Sequence, residues 1–445
     1  MPNRRRHRPG RRAVLGSIPF LVLPRIGLRA LVGATTVGAI GSSASPGSGA
    51  PEFRRGIGVV HPLGWADVGT DGTYVFPPFA GPSRDLGPAQ VRILRTAGFD
   101  FLRLAVDPGP FLHFRGAQRD WLDARLLDVV RAVLDGGLGA IVDFHPSGMH
   151  PAYRPSRITV GAETRIFREF LDLVRRTATY LETMSGAAAR RGAHARLALE
   201  LLNEPEVPPR DWQPMLASAY RAARAAAPRL PLVVGGGSQN AADALEAVDL
   251  SLMGGDQNVI YTFHDYAPWQ FTHQGVEGHP ASHLTNVPYP PRADLIEQSK
   301  AATRLRIRAD RRDARAQSDD IAKAEGDLDQ YARLAARPAA RPAGGQDDLG
   351  GAFDRISGWC SANRIPPGRV LLGEFGVHLT PYHRTAEGAL ARARWLREMR
   401  ERAEARGFGW SAWDYAETGG FGIAEDPGGL VLDRTVLTAL GLRTP

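Results

Sequence analysis

Leu197-Ala-Leu-Glu-Leu-Leu-Asn-Glu-Pro205 decides how the chain is read. The run is apolar, short and bounded, the pattern of a strand buried on both faces of a parallel sheet. It stops in an amide, a carboxylate and a proline. Proline lacks the N–H that a strand ladder needs, so pairing ends there. Polar groups that close a buried strand stand at its carboxyl edge, where open and closed α/β sheets place their chemistry.

The same pattern recurs outward from this stretch. Upstream, strands are expected at 55–61, 99–106 and 138–145. Downstream they are expected at 232–234, 259–264, 370–375 and 408–413. Helical patterns fall between them, at about 89–97, 121–134, 163–191, 214–227, 241–247 and 386–406, with a last one at 431–440. Eight strands, nearly all followed by helices, favour a closed parallel (β/α)8 barrel over an open sheet. The rhythm breaks once, at about 268–350, between the sixth and seventh strands. The first part of this insertion is rich in proline, histidine and aromatic residues, and after a barrel strand it is placed to wall a cleft. The second part, about 293–334, is charged and helical in composition and reads as a solvated excursion. Arg337 to Gly345 has the composition of a linker.

Bulk composition fits one large globular unit, at 43% apolar and 23% charged residues. The formal charge of +8 does not point to nucleic acid. Residues 1–50 hold eight of the 55 basic residues and no acidic one, which leaves 47 basic against 47 acidic in the remainder. That leader has Arg11-Arg12 ahead of the apolar stretch 14–23 and a small-residue run at 41–45. These are the parts of a twin-arginine-like export signal. Pro19, Pro24, Arg25 and Arg29 interrupt it, so a stable membrane span is not expected. The expected organisation is a signal and linker at 1–50 and a single catalytic domain at 51–445, exported to the periplasm or beyond and monomeric. The single cysteine, Cys360, excludes an intrachain disulfide.

The expected strand ends carry an ordered set of reactive groups: His61 with Trp65, Arg103, His145, Asn203-Glu204, His264-Asp265-Tyr266, Glu374, and Trp413. In a barrel they converge on one face. Two glutamates from distant strands suggest paired-carboxylate chemistry. Glycoside hydrolysis needs one carboxyl to protonate the leaving oxygen and another to attack the anomeric carbon or activate water. Their surroundings must push the two pKa values apart. Tryptophans at the rim suit the apolar faces of sugar rings. Asp143, Asp265, Asp414 and Glu417 are secondary candidates, and Glu200 reads as a buried carboxylate paired with a cation. A metal set built from His61, His145 and His264 is one alternative, and a carbohydrate-binding barrel without activity is another. No His-Glu-x-x-His, nucleophile elbow or phosphate-binding glycine loop is present, so no metal and no cofactor are expected.

The ordered set His61-Pro-Leu-Gly-Trp65, Arg103, Asp143-Phe-His145, Asn203-Glu204-Pro205, His264-Asp-Tyr266, Gly373-Glu374-Phe375-Gly376 and Trp413 resembles the endoglucanase-type members of glycoside hydrolase family 5. These are retaining (β/α)8 enzymes. The resemblance runs over about 52–443 and leaves out the leader and 293–345. It implies Glu204 as general acid/base and Glu374 as the nucleophile of a covalent glycosyl intermediate. Asn203 would hold the sugar 2-hydroxyl, and Arg103 and Tyr266 would hold the nucleophile. His264 would lie beside the acid/base, and His145 would touch the sugar at the cleavage point. His61, Trp65 and Trp413 would form the subsites before it. The implied substrate is cellulose-like β-1,4-glucan, with mannan, xyloglucan and small β-glucosides as the variants. Retention requires carboxyl groups about 5–5.5 Å apart.

Overall fold

Eight short strands close on themselves: β1 (Arg55–Val59), β2 (Phe101–Val106), β3 (Gly139–Phe144), β4 (Leu197–Glu200), β5 (Leu232–Gly235), β6 (Val259–His264), β7 (Val370–Phe375) and β8 (Gly409–Ala412). All neighbours pair in parallel, and β1 pairs with β8 to complete the barrel. The fold is a (β/α)8 barrel. The computed structural model describes residues 53–190, 196–310, 313–335, 350–416 and 420–445. The expected export signal, the 337–345 linker and Glu417 lie outside the described residues.

Helices follow in chain order: α1 (Pro88–Ala97), α2 (Ala117–Asp135), α3 (Arg165–Arg190), α4 (Pro209–Ala226), α5 (Ala242–Glu246), α6 (Ile296–Asp310), α7 (Ala314–Ala335), α8 (Gly351–Asn363), α9 (Ala386–Ala405) and α10 (Arg434–Ala439). Among the described residues, no helix is long and apolar enough to cross a membrane.

Side-chain alternation separates two cores. On β2, Leu102, Leu104 and Val106 face the helices, while Phe101 and Arg103 face the barrel axis. Phe53, Phe101, Ile141, Ala198, Val233, Ile260 and Leu371 form an apolar plug inside the barrel. Gly56 makes room for it: a Cβ there would stand 2.2 Å from the Phe101 ring. Above the plug the axis turns polar, with Arg103, Asp143, Glu200, Thr262 and Ser411 all fully buried. The candidate site sits on this polar layer, at the carboxyl ends of the strands.

Several elements differ from the sequence expectation: α8 falls where no helix was expected, and β1 ends at Val59, short of His61. The β4 ladder ends at Glu200, although the apolar run continues to Leu202. The chain stays pinned beyond it, because Leu201 N–H donates to the Val233 carbonyl and Asn203 N–H to the Phe144 carbonyl. The charged 293–334 stretch is a helical hairpin with a buried seam, not a solvated excursion. Ile307 on α6 and Leu328 and Tyr331 on α7 have no exposed surface. Tyr331 Oη donates to the Pro288 carbonyl, which fastens the hairpin to the loop after β6.

Candidate active site

Arg103 organises the site. Its Nε and Nη2 donate to both oxygens of Glu200 at 2.8 and 2.9 Å. Nη1 donates to Glu374 Oε1 at 2.6 Å, and Nη2 also reaches Asn203 Oδ1 at 2.8 Å and Asp143 Oδ2 at 3.0 Å. The guanidinium is wholly buried, so it persists only because these partners replace its water. Burial raises the Glu200 and Asp143 pKa values, and Arg103 opposes both shifts. Glu200 thus takes the structural role expected for it.

Glu374 is held from both sides, since Tyr266 Oη donates to its Oε2 at 2.9 Å. Its inward aim comes from irregular pairing. The register of β7 slips between Leu372 and Phe375, and that of β6 between Phe263 and His264. Leu372 and Phe375 both pack outside the barrel, so the extra residue between them lets Glu374 join Gly373 on the axial side. Gly373 leaves the space this needs: a Cβ there would lie 2.3 Å from Thr262 Oγ1 and 2.9 Å from His264 Nε2.

Glu204 differs from its neighbours. Its backbone is left-handed, with φ at 43°, and its side chain is 30% exposed where that of Glu374 is 5% exposed. Lost hydration pushes its pKa up to about 7. Oxygens of Glu204 and Glu374 and Nδ1 of His264 all lie within 4.8 Å of one another.

The network fixes both imidazoles. Asn203 Oδ1 accepts from Arg103, so its Nδ2 donates to His145 Nε2 at 3.1 Å. His145 therefore carries its proton on Nδ1 and donates to Asp143 Oδ2 at 2.8 Å. Asn240 Nδ2 lies 3.3 Å from His264 Nε2, and His264 Nδ1 donates to Glu204 Oε1 at 2.7 Å. Burial brings His264 down to about 4, which keeps it neutral. With Oε1 of Glu204 occupied by His264, Oε2 is left to carry the transferable proton.

Trp65 and Trp413 close one end, with the Trp413 ring stacked on His145 at 5.1 Å and 12°. A cavity of about 370 Å³ opens from there past both glutamates towards Ser238, Asp243, Trp269, His279 and Arg355. His61 departs from expectation. It does not line this cavity; its ring sits 5.9 Å from Tyr415, among the charges of Arg84 and Arg125. The expected subsite role of His61 is therefore corrected to a supporting position behind the cleft.

The three histidines do not form a metal set, because both nitrogens of His145 and of His264 are already engaged. Glu204, His264 and Glu374 are spaced closely enough to hold a cation. Their oxygens already have partners, Arg103 and Tyr266 on Glu374 and His264 on Glu204. Asn240 was not anticipated. It follows the Gly235-Gly236-Gly237 run after β5, in a left-handed segment with Ser238 and Gln239. Polar residues directly after a glycine-rich strand end were the available signal.

The sequence model of the cellulase family, glycosyl hydrolase family 5, matches residues 87–419. Endoglucanase 3 of Fibrobacter succinogenes is 24% identical over 362 residues, which cover 77% of this chain. The chain spans about half the length of that relative, 48%. Among solved structures, the cellulose synthase subunit Z of Clostridioides difficile superposes with a TM-score of 0.58 at 21% identity, covering 87% of this chain and 99% of its own. The cellobiose complex of Thermotoga maritima Cel5A gives 0.56 at 20% identity, covering 87% and 97%. A family 5 xyloglucanase from Paenibacillus pabuli gives 0.60 at 14% identity, covering 88% and 98%.

Proposed function

The chain belongs to glycosyl hydrolase family 5 and is an endoglucanase-like glycosyl hydrolase, and on that premise we propose that it cleaves β-linked glucan by double displacement. Glu204 acts as acid/base and Glu374 as nucleophile. The observation that carries this reading is the carboxylate pair itself, with oxygens within 4.8 Å. So close an approach of one oxygen from each carboxylate supports a retaining pair, whose carboxyl groups stand about 5–5.5 Å apart where those of an inverting pair stand about 6.5–9.5 Å apart.

In the first step a Glu374 oxygen bonds to the anomeric carbon. The glycosidic C–O bond breaks, and Glu204 gives its proton to the departing oxygen. In the second step the Glu204 carboxylate takes a proton from water, whose oxygen bonds to the same carbon and releases Glu374. The environments support the assignment. Glu374 is held by the Arg103 guanidinium and the Tyr266 hydroxyl, one on each oxygen. Glu204 has lost hydration and keeps its proton near neutral pH. The free N–H of Asn203 is available to a sugar hydroxyl, and Trp413 offers a stacking face on the same side.

The relatives bear on the substrate: the Thermotoga enzyme has been solved with cellobiose and with mannotriose, and the Paenibacillus one is a xyloglucanase. The test is a panel of soluble β-1,4-glucan, mixed-linkage glucan, mannan and xyloglucan, with product lengths measured. Fastest release from β-1,4-glucan is expected, and a preference for mannan or xyloglucan would replace the glucan assignment. Loss of hydrolysis in both Glu204→Gln and Glu374→Gln separates this reading from a binding protein, which would show none in the parent. We further propose that residues 1–50 direct export. Fusion of this leader to a reporter, with Arg11 and Arg12 changed to lysine, tests that step.

A further inference from the structure

Asn240 has no exposed surface and stands behind the cavity wall: Ser238, Gln239 and Ala241 line the cavity, and Asn240 does not. The run of Ser238, Gln239 and Asn240 has φ of 48°, 60° and 56°. Left-handed backbone is unfavourable for residues with a Cβ, so such a run persists only where its surroundings hold it. Ser238 N–H donates to the Val207 carbonyl at 2.8 Å, and Gln239 N–H to the Pro205 carbonyl at 3.2 Å. The run is thus fastened to the chain that leaves Glu204. The glycines before it leave the room it needs. A Cβ on Gly235 would lie 2.4 Å from Asn240 Oδ1, and one on Gly237 would lie 2.5 Å from the Val207 carbonyl oxygen.

The orientation of the Asn240 amide follows from its surroundings. Nδ2 faces His264 Nε2 at 3.3 Å, and Oδ1 has no hydrogen-bond partner among the described residues. Turning the amide over would set its two N–H bonds where the oxygen now finds no partner. Orphaned buried N–H groups are rarer than orphaned carbonyls, so the amide donates and His264 Nε2 accepts. Burial lowers the His264 pKa to about 4, which keeps the ring neutral with a single ring proton. That proton sits on Nδ1 and faces Glu204 Oε1 at 2.7 Å.

We propose that Asn240 is a positioning residue that selects the tautomer of His264 and, through it, the Glu204 oxygen that holds the transferable proton. This rests on the reading of Glu204 as acid/base. With Nδ1 protonated, His264 can only donate to Oε1, so the Glu204 proton stays on Oε2 for the leaving oxygen. With the proton on Nε2 instead, a bare Nδ1 would accept the Glu204 proton and hold it away from the substrate. An amide at position 240 prevents this because it can donate. A carboxylate there could only accept, which would force a proton onto Nε2. The loop after β5 therefore acts on the chemistry from behind the cavity wall, through two hydrogen bonds in series.

The test reads the tautomer directly. In protein made with isotope-labelled histidine, the ring nitrogen resonances of His264 are assigned by their loss in His264→Gln. They are expected to show a proton on Nδ1 and none on Nε2. In Asn240→Asp, whose side chain has the same shape and tolerates left-handed backbone, Nε2 is expected to carry a proton. A parent with a proton on Nε2, or an Asn240→Asp variant without one, would overturn the proposal. In Asn240→Gly, which is unstrained there and lacks the amide, both tautomers are expected, and a proton on Nδ1 alone would likewise overturn it. Kinetics supply a second readout, as kcat/KM for the tetrasaccharide of the preferred glycan and for the aryl glycoside of its disaccharide. In Asn240→Asp a neutral His264 draws the Glu204 proton onto Nδ1, and a charged one holds Glu204 ionised. Both take the acid from a sugar leaving group. The tetrasaccharide is therefore expected to lose at least roughly tenfold more than the aryl glycoside, whose leaving group needs little acid help. Glu204→Gln separates the two readings. Equal losses on both substrates in that variant would defeat the acid/base assignment, whereas unequal losses there with equal losses in Asn240→Asp would defeat the proposal alone.

Discussion

Glu204 and Arg103 hold the account at the scale of single residues. Glu204 must be protonated to act on the leaving group, and its pKa stands at about 7 against 4.5 for an ordinary glutamate. Activity on sugar leaving groups should therefore fall about tenfold per pH unit above that value. In Glu204→Gln this alkaline limb should vanish for an aryl glycoside, whose leaving group needs little acid help. The same shift has a consequence for stability. A carboxyl whose folded pKa is raised binds more protons in the native state, so it costs stability as pH rises from about 4.5 to about 7. Thermal melts should show Glu204→Gln gaining on the parent between pH 5 and pH 8, and a constant difference would contradict the cause assigned. Arg103→Met leaves Glu200, Asp143 and Glu374 crowded without their cation. A loss of about 3–5 kcal/mol is expected in denaturant unfolding. Arg103→Lys keeps the charge but loses the fork to Glu200, and should fall between the two.

Among elements, the slipped register of β7 has the largest effect, because it turns Glu374 towards the axis. Gly373→Ala places a methyl group against Thr262 and His264. The expected result is a fall in kcat of about tenfold or more with a stability loss of about 1–3 kcal/mol, read by kinetics and thermal melts. Unchanged kinetics would show that this close approach positions neither Glu374 nor the His264 that holds Glu204. The strands themselves were legible, since each is an apolar run too short for a helix. The paired carboxylates were legible too, because Asn203-Glu204 and Glu374 close such runs. The slip was not legible. Gly373-Glu374-Phe375 reads the same whether the glutamate faces in or out, and only the Leu372–Phe375 spacing on the outer face settles it. Asn240 was missed because three successive left-handed residues carry it back to His264. His61 was misplaced because a histidine two residues past a strand can turn to either side of the wall, and here it turned towards Tyr415.

At the scale of the whole molecule, the barrel carries the candidate site and the insertion after β6 supplies part of its wall. The charged composition of 293–334 hid an apolar seam, although Ile321, Ala324, Leu328 and Tyr331 recur at helical spacing on α7. What the composition could not show is the surface on which that seam rests, the 268–291 loop. The site's ionic pairing also bears on metals. With Arg103 and Tyr266 on Glu374 and His264 on Glu204, hydrolysis is expected to proceed unchanged after chelator treatment and dialysis. A loss restored by a divalent cation would redirect attention to Glu204, His264 and Glu374. The most direct test of the central claim is covalent trapping. A 2-deoxy-2-fluoro β-glycoside of the preferred sugar, with a good leaving group, slows breakdown of the intermediate more than the enzyme can offset. Mass spectrometry should then find one glycosyl unit per chain, on the peptide that contains Glu374, and none in Glu374→Gln. A label on another residue, or no label on a protein that releases the leaving group, would contradict the account.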